Sequence, residues 1–429
     1  MKLYPHQMQV LEQTKDLSRV AYYLDMGLGK TFVGSEKMMS LDARVNLIIC
    51  QKSKVNDWIK HFFTFYIDKS KCDESGAWCY DLTKSDGIEM FEHSRYRVRI
   101  GVINYDLIFR RMQLLKLKDF TLMLDESSLI QNVKAKRTKA ILKMQPRNVI
   151  LLSGTPTSGK YENLWTQCHL LGWDITDELY QKQYINWTNI EVGGAVHKIV
   201  DKDDPYKNVE RLKRKIRSHG AVFLKTEECF DLPQQIFTDV TVESSKEYKR
   251  FVKSHIVTVE DTDVVGDTTL TQMLGERELC GMYSSAKLQA FADILDSTSD
   301  RLIVFYNFDK ELAKLIAVAE EHERPISQVN GHVKDLKAYE DEADSVTFIQ
   351  YQAGAMGLNL QKADKIVYFT LPLQSELFEQ SKKRIHRIGQ TRTCFYYLMI
   401  CKGSIEEKIK QTLVLRRDFT DELFRETQT

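Results

Sequence analysis

The 429-residue sequence predicts an α/β protein built as two domains in tandem, each around a mostly parallel sheet. Short β-branched or aromatic runs alternate with helix-length stretches whose apolar residues recur every three or four positions. The alternation runs once through the first 152 residues and again from about residue 302. With 43% hydrophobic and 28% charged residues and only 7 Pro, the composition is that of an ordinary globular chain. At about 150 residues per domain it accommodates two or three domains.

In the first half, strands are expected at residues 20–24, 45–50, 98–103, 121–124 and 149–152. Each is short and bounded by polar residues or Gly, as buried parallel strands are. Helices are expected between several of them, for example at 31–41 and 134–144. The second half repeats the rhythm, with strands at 302–306, 326–329, 346–350, 366–369 and 395–400 and helices at 310–322 and 376–388. Between the halves, residues 157–284 lack strong strand signals and carry amphipathic stretches at 208–217 and 246–258. This section reads as mainly helical outgrowth. The expected division is therefore an N-terminal lobe at 1–165, helical outgrowths and connection at 166–283, and a C-terminal lobe at 284–429.

Lys plus Arg number 61 and Asp plus Glu 60, so net charge carries no attraction for nucleic acid or membrane, and any basic surface must be local. Residues 1–15 hold no apolar stretch of a secretory signal. The longest apolar runs, such as 394–401, fall under half of a roughly 20-residue membrane span. A soluble protein of the bacterial or host-cell cytoplasm is expected. The eight Cys form no CxxC pair, and Cys72 with Cys79 or Cys394 with Cys401 lack zinc-ligand spacing, which favours reduced thiols. His61, His93, His169 and His197 show no ligand spacing either. Trp58, Trp165 and Trp173 lie in apolar helical patterns and are expected in the core.

The segment Asp25-Met26-Gly27-Leu28-Gly29-Lys30-Thr31 follows an expected strand and opens an expected helix, the setting of a phosphate-binding loop. Gly27 and Gly29 let backbone N–H groups approach phosphates, Lys30 neutralises β/γ-phosphate charge, and the Thr31 hydroxyl ligates Mg²⁺. Leu24 stands where the general pattern has its first Gly. Asp125-Glu126 ends the strand at 121–124, so Asp125 is placed to hold Mg²⁺ and Glu126 to polarise the attacking water. ATP and Mg²⁺ are the expected ligands.

The order of motifs resembles superfamily 2 helicases, and within them the Swi/Snf-related DNA-dependent ATPases, over about residues 3–410. Leu3-Tyr4-Pro5-His6-Gln7 is similar to the glutamine motif that reads adenine, and residues 25–31 to that family's phosphate loop. Ile49-Cys50-Gln51-Lys52-Ser53 with Trp58 resembles motif Ia, Asp125-Glu126-Ser127-Ser128 motif II, and Leu152-Ser153-Gly154-Thr155-Pro156 motif III. Val304-Phe305-Tyr306-Asn307 resembles motif IV and the run from Gln352 through Gly354, Gly357 and Asn359 to Leu360 motif V. Gln380 through Gln390 resembles motif VI, and its string Arg384-Ile385-His386-Arg387-Ile388-Gly389-Gln390 is the most family-specific in the chain. Phe223-Leu224-Lys225 and Ser284-Ser285-Ala286-Lys287-Leu288 resemble landmarks between the lobes. Ser127-Ser128 departs from the usual Ala-His and Gln350-Tyr351-Gln352 from the usual Ser-Thr-Arg. With no further domain at either end, the chain resembles small stand-alone members from bacteria and their viruses.

The resemblance implies two RecA-like lobes in tandem, with outgrowths between motifs III and IV, hydrolysing ATP between them to move along duplex DNA. Gln7, Asp25, Met26, Gly27, Leu28, Gly29, Lys30, Thr31 and Gly357 would hold the nucleotide. Arg384 and Arg387, three apart on the helix expected at 376–388, would share a face and act as fingers in catalysis with Lys30 and Glu126. Lys52, Ser53, Asn104, Thr155, Gly354 and Asn359 would meet the DNA backbone without sequence preference. The basic runs at 95–99, 134–137 and 211–217 offer further phosphate contacts or solvated faces. A strand-separating DNA or RNA helicase and a scaffold that has lost hydrolysis remain alternatives. Only 20 residues separate Asn359 from Gln380, too few for a wedge, although residues 257–282 could form a hairpin.

Overall fold

The computed structural model describes residues 2–68, 76–192, 194–354 and 358–424. They divide into two compact units, Met1–Cys229 with Asp418–Thr429, and Phe230–Arg417.

In the first unit the strands, in chain order, are β1 (Arg19–Leu24), β2 (Val45–Cys50), β3 (Ala77–Asp81), β4 (Val98–Asn104), β5 (Phe120–Asp125), β6 (Asn148–Leu152), the hairpin β7 (Trp187–Val192) and β8 (Ala195–Val200), and β9 (Ala221–Leu224). Among the described residues, seven of them form a parallel sheet in the order β3-β4-β2-β5-β6-β1-β9. Every residue of β2 and β6 is buried. Helices cover both faces of such a sheet, which is why these strands read as unbroken apolar runs rather than alternating ones. The order β5-β6-β1 sets the carboxyl ends of three strands side by side, and three of the chain's motifs begin there.

The second unit contains β10 (Gln235–Val242), the hairpin β11 (Ile256–Val259) and β12 (Thr262–Val265), β13 (Leu302–Tyr306), β14 (Ile326–Val329), β15 (Lys334–Asp335), β16 (Val346–Gln350), β17 (Lys365–Tyr368) and β18 (Cys394–Cys401). Its sheet runs β10-β18-β17-β13-β16-β14-β15, parallel except for the β14–β15 pair. Ile303, Phe305, Ile349, Ile366 and Tyr368 fill one face, and Val304, Tyr306, Phe348, Val367 and Phe369 the other.

Three expectations need correction. The section between the halves is not helical throughout: among its helices β9 extends the first sheet, β10 extends the second, and two hairpins, β7–β8 and β11–β12, are inserted. Their pairing partners lie far along the chain, so no local periodicity announces them; Ala221 pairs with Ala21 and Gln235 with Cys394. The helix expected at 246–258 stops at Ser254, where His255 takes a left-handed conformation (φ 58°) and the chain turns into β11. The helix expected at 376–388 ends at Lys382, and motif VI from Lys383 onward follows on turns.

Two residues of the third basic run, Lys213 and Arg217, hold the C-terminal segment within the first unit, while Arg211, Arg214 and Lys215 are exposed. Lys213, 1% exposed, bonds Glu210 and Glu422, Arg217 donates to the carbonyls of Leu423 and Phe424, and Lys225 pairs with Asp421. Phe419 packs against Tyr206 and Phe424 against Phe223.

In the second unit, Lys287 is fully buried and donates to Glu406 (2.5 Å) and to the Phe369 carbonyl (2.7 Å). Burial alone would pull the ammonium's pKa down; Glu406 and the nearby thiols outweigh it and the net shift is upward. Cys280, Cys401 and Glu406 approach within 4.8 Å of one another, but the Glu406 carboxylate is already held by Lys287 and by the Cys401 N–H, so an ammonium stands where a metal ion would. Lys287→Ala leaves a buried carboxylate without its cation and is expected to cost about 3–5 kcal/mol. The check is hydrogen exchange: protection should fall across β13, β17 and β18 while β2 and β5 keep theirs.

Candidate nucleotide and nucleic-acid sites

Helices α1 (Pro5–Gln13), α2 (Lys30–Ser40) and α3 (Val55–Phe65) frame the first site. The loop from Asp25 to Gly29 joins β1 to α2. Gly27 (φ 89°) and Gly29 (φ 75°) both take left-handed conformations that L side chains rarely adopt. Space adds a second constraint at Gly29, where a Cβ would come within 2.2 Å of Gln7 Nε2. The loop thus delivers the unpaired N–H groups of the α2 N-terminus, an anion-binding end of a helix. Lys30 Nζ donates to the carbonyls of Leu24 (2.9 Å) and Asp25 (3.3 Å), curled over its own loop.

Both neighbours of the loop brace it. Gln7 on α1 accepts from the Tyr4 N–H and donates to the Leu28 carbonyl at 3.0 Å, and His6 Nε2 lies 3.1 Å from the same oxygen. On the other side the buried Thr226 hydroxyl donates to Asp25 Oδ2 at 3.0 Å. Asp25 is thereby fastened to the segment after β9. Nothing in the spacing of Asp25 and Thr226, 201 residues apart, connects them in the sequence.

Asp125 ends β5 and Glu126 follows it in a left-handed conformation (φ 53°), a strained position of the kind that clusters at functional sites. The Tyr105 hydroxyl holds this turn by donating to the Asp125 carbonyl at 2.9 Å. Trp58 Nε1 donates to Asp125 Oδ2 at 2.8 Å. Burial pushes the Asp125 carboxyl's pKa up; the Trp58 N–H and the ammonium groups of Lys30 and Lys54 pull it back. The oxygen donors on offer, a carboxylate and the Thr31 hydroxyl beside a phosphate-binding helix end, fit Mg²⁺. Burial also lowers the pKa of His61 to about 4, so the imidazole packed against Trp58 and touching Ser35 is neutral.

Between these parts lies β6 with Ser153-Gly154-Thr155-Pro156. A Cβ at Gly154 would meet Lys30 Nζ at 3.4 Å, so this loop touches the phosphate-loop lysine. The departure at Ser127 is compensated by Gln167, which accepts from Ser127 Oγ (2.7 Å) and Tyr23 OH (3.0 Å) and donates to the Pro156 carbonyl (2.7 Å). One fully buried amide thus joins β1, the turn after β5 and the loop after β6. Sequence reading missed it, because Gln167 sits in no motif.

Of the nucleic-acid candidates in the first unit, Lys52 and Ser53 are exposed, on the turn that leads into α3. Asn104 is instead 3% exposed at the end of β4, and Thr155 is 8% exposed; neither Asn104 Oδ1 nor Thr155 Oγ1 has a hydrogen-bond partner among the described residues. Among the basic runs, Arg97 pairs with Asp42, Arg99 donates to the Phe91 and Glu92 carbonyls, and Arg137 to the Leu129 carbonyl.

In the second unit the carboxyl ends of β13, β16 and β17 surround a cavity of about 200 Å³ lined by Arg277, Asn307, Gln350, Gln352 and Gln374. Amides and one guanidinium dominate the polar lining, with no carboxylate, as suits phosphate and sugar oxygens. Gln350 and Gln352, which replace the usual family residues, both face it. The short helix Tyr351–Gly354 starts at its mouth, Asn359 is exposed further on, and Gly357 lies outside the described residues.

Arg384 and Arg387 are not on one helical face, because the helix has ended at Lys382. Arg384 is 7% exposed and donates to the Leu358 carbonyl at 3.4 Å. Arg387 is half-buried, and desolvation lowers its pKa. Gln390 fastens the motif by donating to the Gln361 and Ala363 carbonyls.

A family model of the SNF2-related domain matches residues 23–282, and one of the helicase conserved C-terminal domain matches residues 286–389. The ISWI chromatin-remodeling complex ATPase ISW1 of Saccharomyces cerevisiae is 22% identical over 473 residues, covering 97% of this chain and 40% of the yeast protein. An uncharacterized ATP-dependent helicase of Mycoplasma genitalium is 22% identical over 424 residues, covering 90% of this chain and 38% of its own. The chain spans less than half the length of these relatives. Among solved structures, the Sulfolobus solfataricus SWI2/SNF2 ATPase core in complex with dsDNA aligns at a TM-score of 0.45 with 19% identity, covering 99% of this chain and 93% of that one.

Proposed function

The chain belongs to the SNF2-related domain family, and from that premise we propose that it is an ATP-driven motor that moves along duplex DNA. The observation that carries the hydrolytic activity is the adjacency of three elements at one sheet edge: the left-handed Gly27 and Gly29 opening α2, the Asp125-Glu126 turn, and Gly154 against Lys30. ATP places its β- and γ-phosphates on the α2 N-terminus, where Lys30 leaves its loop carbonyls to neutralise them. Mg²⁺, when bound, neutralises charge on the β/γ-phosphate oxygens. Thr31 and Asp125 would hold it, and Glu126 would orient the attacking water. Arg387 meets the charge that develops in the transition state; Arg384, occupied with the Leu358 carbonyl, instead shapes the loop of motif V. Such catalysis works by positioning and charge stabilisation.

DNA is gripped through its backbone. Lys52 and Ser53 on the first unit and the amide-lined cavity on the second supply donors without a base-reading pattern, so the motor has no sequence preference. Translocation rather than strand separation is supported by the hairpin β11–β12. It is the candidate pin of the sequence, yet Val257 and Val264 are buried in a cluster with Tyr248 and Phe251, and its turn residue Glu260 pairs with Lys314. A hairpin fastened at its turn is poorly suited to wedging between the strands of a duplex.

The test compares displacement of a triplex-forming strand with unwinding of a forked duplex at equal ATP turnover. Triplex displacement with little fork unwinding is expected. Fork unwinding without triplex displacement would replace the translocase with a helicase, and turnover unaffected by duplex DNA would remove DNA as the substrate.

A further inference from the structure

We propose that Trp58 is a positioning residue for the metal: its indole N–H sets the orientation of the Asp125 carboxylate, so that this carboxylate presents a fixed oxygen to Mg²⁺. The inference rests on the reading of Asp125 as the Mg²⁺ ligand and adds a residue to it.

Trp58 is 2% exposed, and its Nε1 donates to Asp125 Oδ2 at 2.8 Å across 67 residues of sequence. A buried indole N–H needs an acceptor, and a buried carboxylate needs donors; each satisfies the other. With Oδ2 engaged by the ring, and the Glu126 backbone N–H also bonding the carboxylate, the rotation of the group is restricted. That ring is itself held. It stacks on Phe62 at 6.1 Å and meets His61 edge-on at 5.8 Å, and His61 Nε2 lies 3.0 Å from Ser35 Oγ on α2, one turn after Thr31. The Ser35 hydroxyl donates back to the Thr31 carbonyl at 2.8 Å. The aromatic cluster on α3 therefore holds the Asp125 carboxylate directly, through Trp58, and reaches the backbone of Thr31 through His61 and Ser35. Partners that orient a metal ligand typically change metal affinity about 10–100-fold when removed.

Trp58 also sits in the first turn of α3, directly after the turn Lys52–Lys54 that carries the exposed Lys52 and Ser53.

The experiment is a Mg²⁺ titration of fluorescent nucleotide binding, without turnover, in the full chain. Trp58→Phe keeps an aromatic ring on α3 and removes the N–H. The Mg²⁺ concentration for half-maximal tight binding is expected to rise about tenfold or more, while nucleotide binding in excess chelator stays at the wild-type level. Phe62→Leu, which loosens the same packing but leaves the N–H in place, is the control and should shift the Mg²⁺ midpoint several-fold less than Trp58→Phe. If both variants shift it equally, or Trp58→Phe does not shift it, the proposal fails. Asp125→Asn separates this from the underlying reading: loss of the Mg²⁺ dependence there with a wild-type Trp58→Phe curve overturns only the role of Trp58, whereas an unchanged Asp125→Asn curve overturns Asp125 as the metal ligand.

Discussion

Lys30→Ala is expected to reduce ATP turnover to background in a protein that still folds. The ammonium group donates to the Leu24 and Asp25 carbonyls of its own loop rather than to a carboxylate, so removing it breaks no ion pair. What it removes is the positive charge that faces the β/γ-phosphates. The backbone N–H groups of α2 still offer dipoles to an anion, but these are partial charges at a helix end. Steady-state hydrolysis at saturating ATP is the first measurement and circular dichroism the second. Near-wild-type turnover with native ellipticity would remove residues 25–31 from the active site.

Arg387→Ala is expected to leave ATP affinity within several-fold and to lower turnover by roughly 10³-fold or more, the scale of an arginine that stabilises transition-state charge. A group engaged only in the transition state lowers kcat and kcat/KM together and leaves binding largely intact. The role falls to Arg387 rather than Arg384, whose guanidinium is buried against the Leu358 carbonyl. The measurement is a single-turnover rate with bound ATP beside an equilibrium binding curve. Weakened binding with an unchanged single-turnover rate would contradict the assignment.

By itself the sequence determined the buried strands of both sheets. Residues 45–50, 302–306 and 346–350 are strands with the bounds read from their apolar runs, because a strand covered on both faces must be apolar at nearly every position. It also determined the glycine turn between β1 and α2, since Gly27 and Gly29 stand where the backbone takes positive φ and a helix opens next to them. Tertiary structure alone decided the rest. Strands β9 and β10 exist because a sheet edge many residues away accepts their hydrogen bonds, and edge strands left largely unburied carry little apolar pattern of their own. The helix before motif VI stops at Lys382 although its apolar spacing runs on, so Arg384 turns inward and Arg387 does not share its face. Trp58 reads as core, and Gln167 and Thr226 belong to no motif, yet the three hold Asp125, the Ser127–Pro156 link and Asp25. Their sequence separations are 67, 40 and 201 residues. A hydrogen bond depends on where two atoms meet in space, and periodicity along the chain reports only which face of an element is buried.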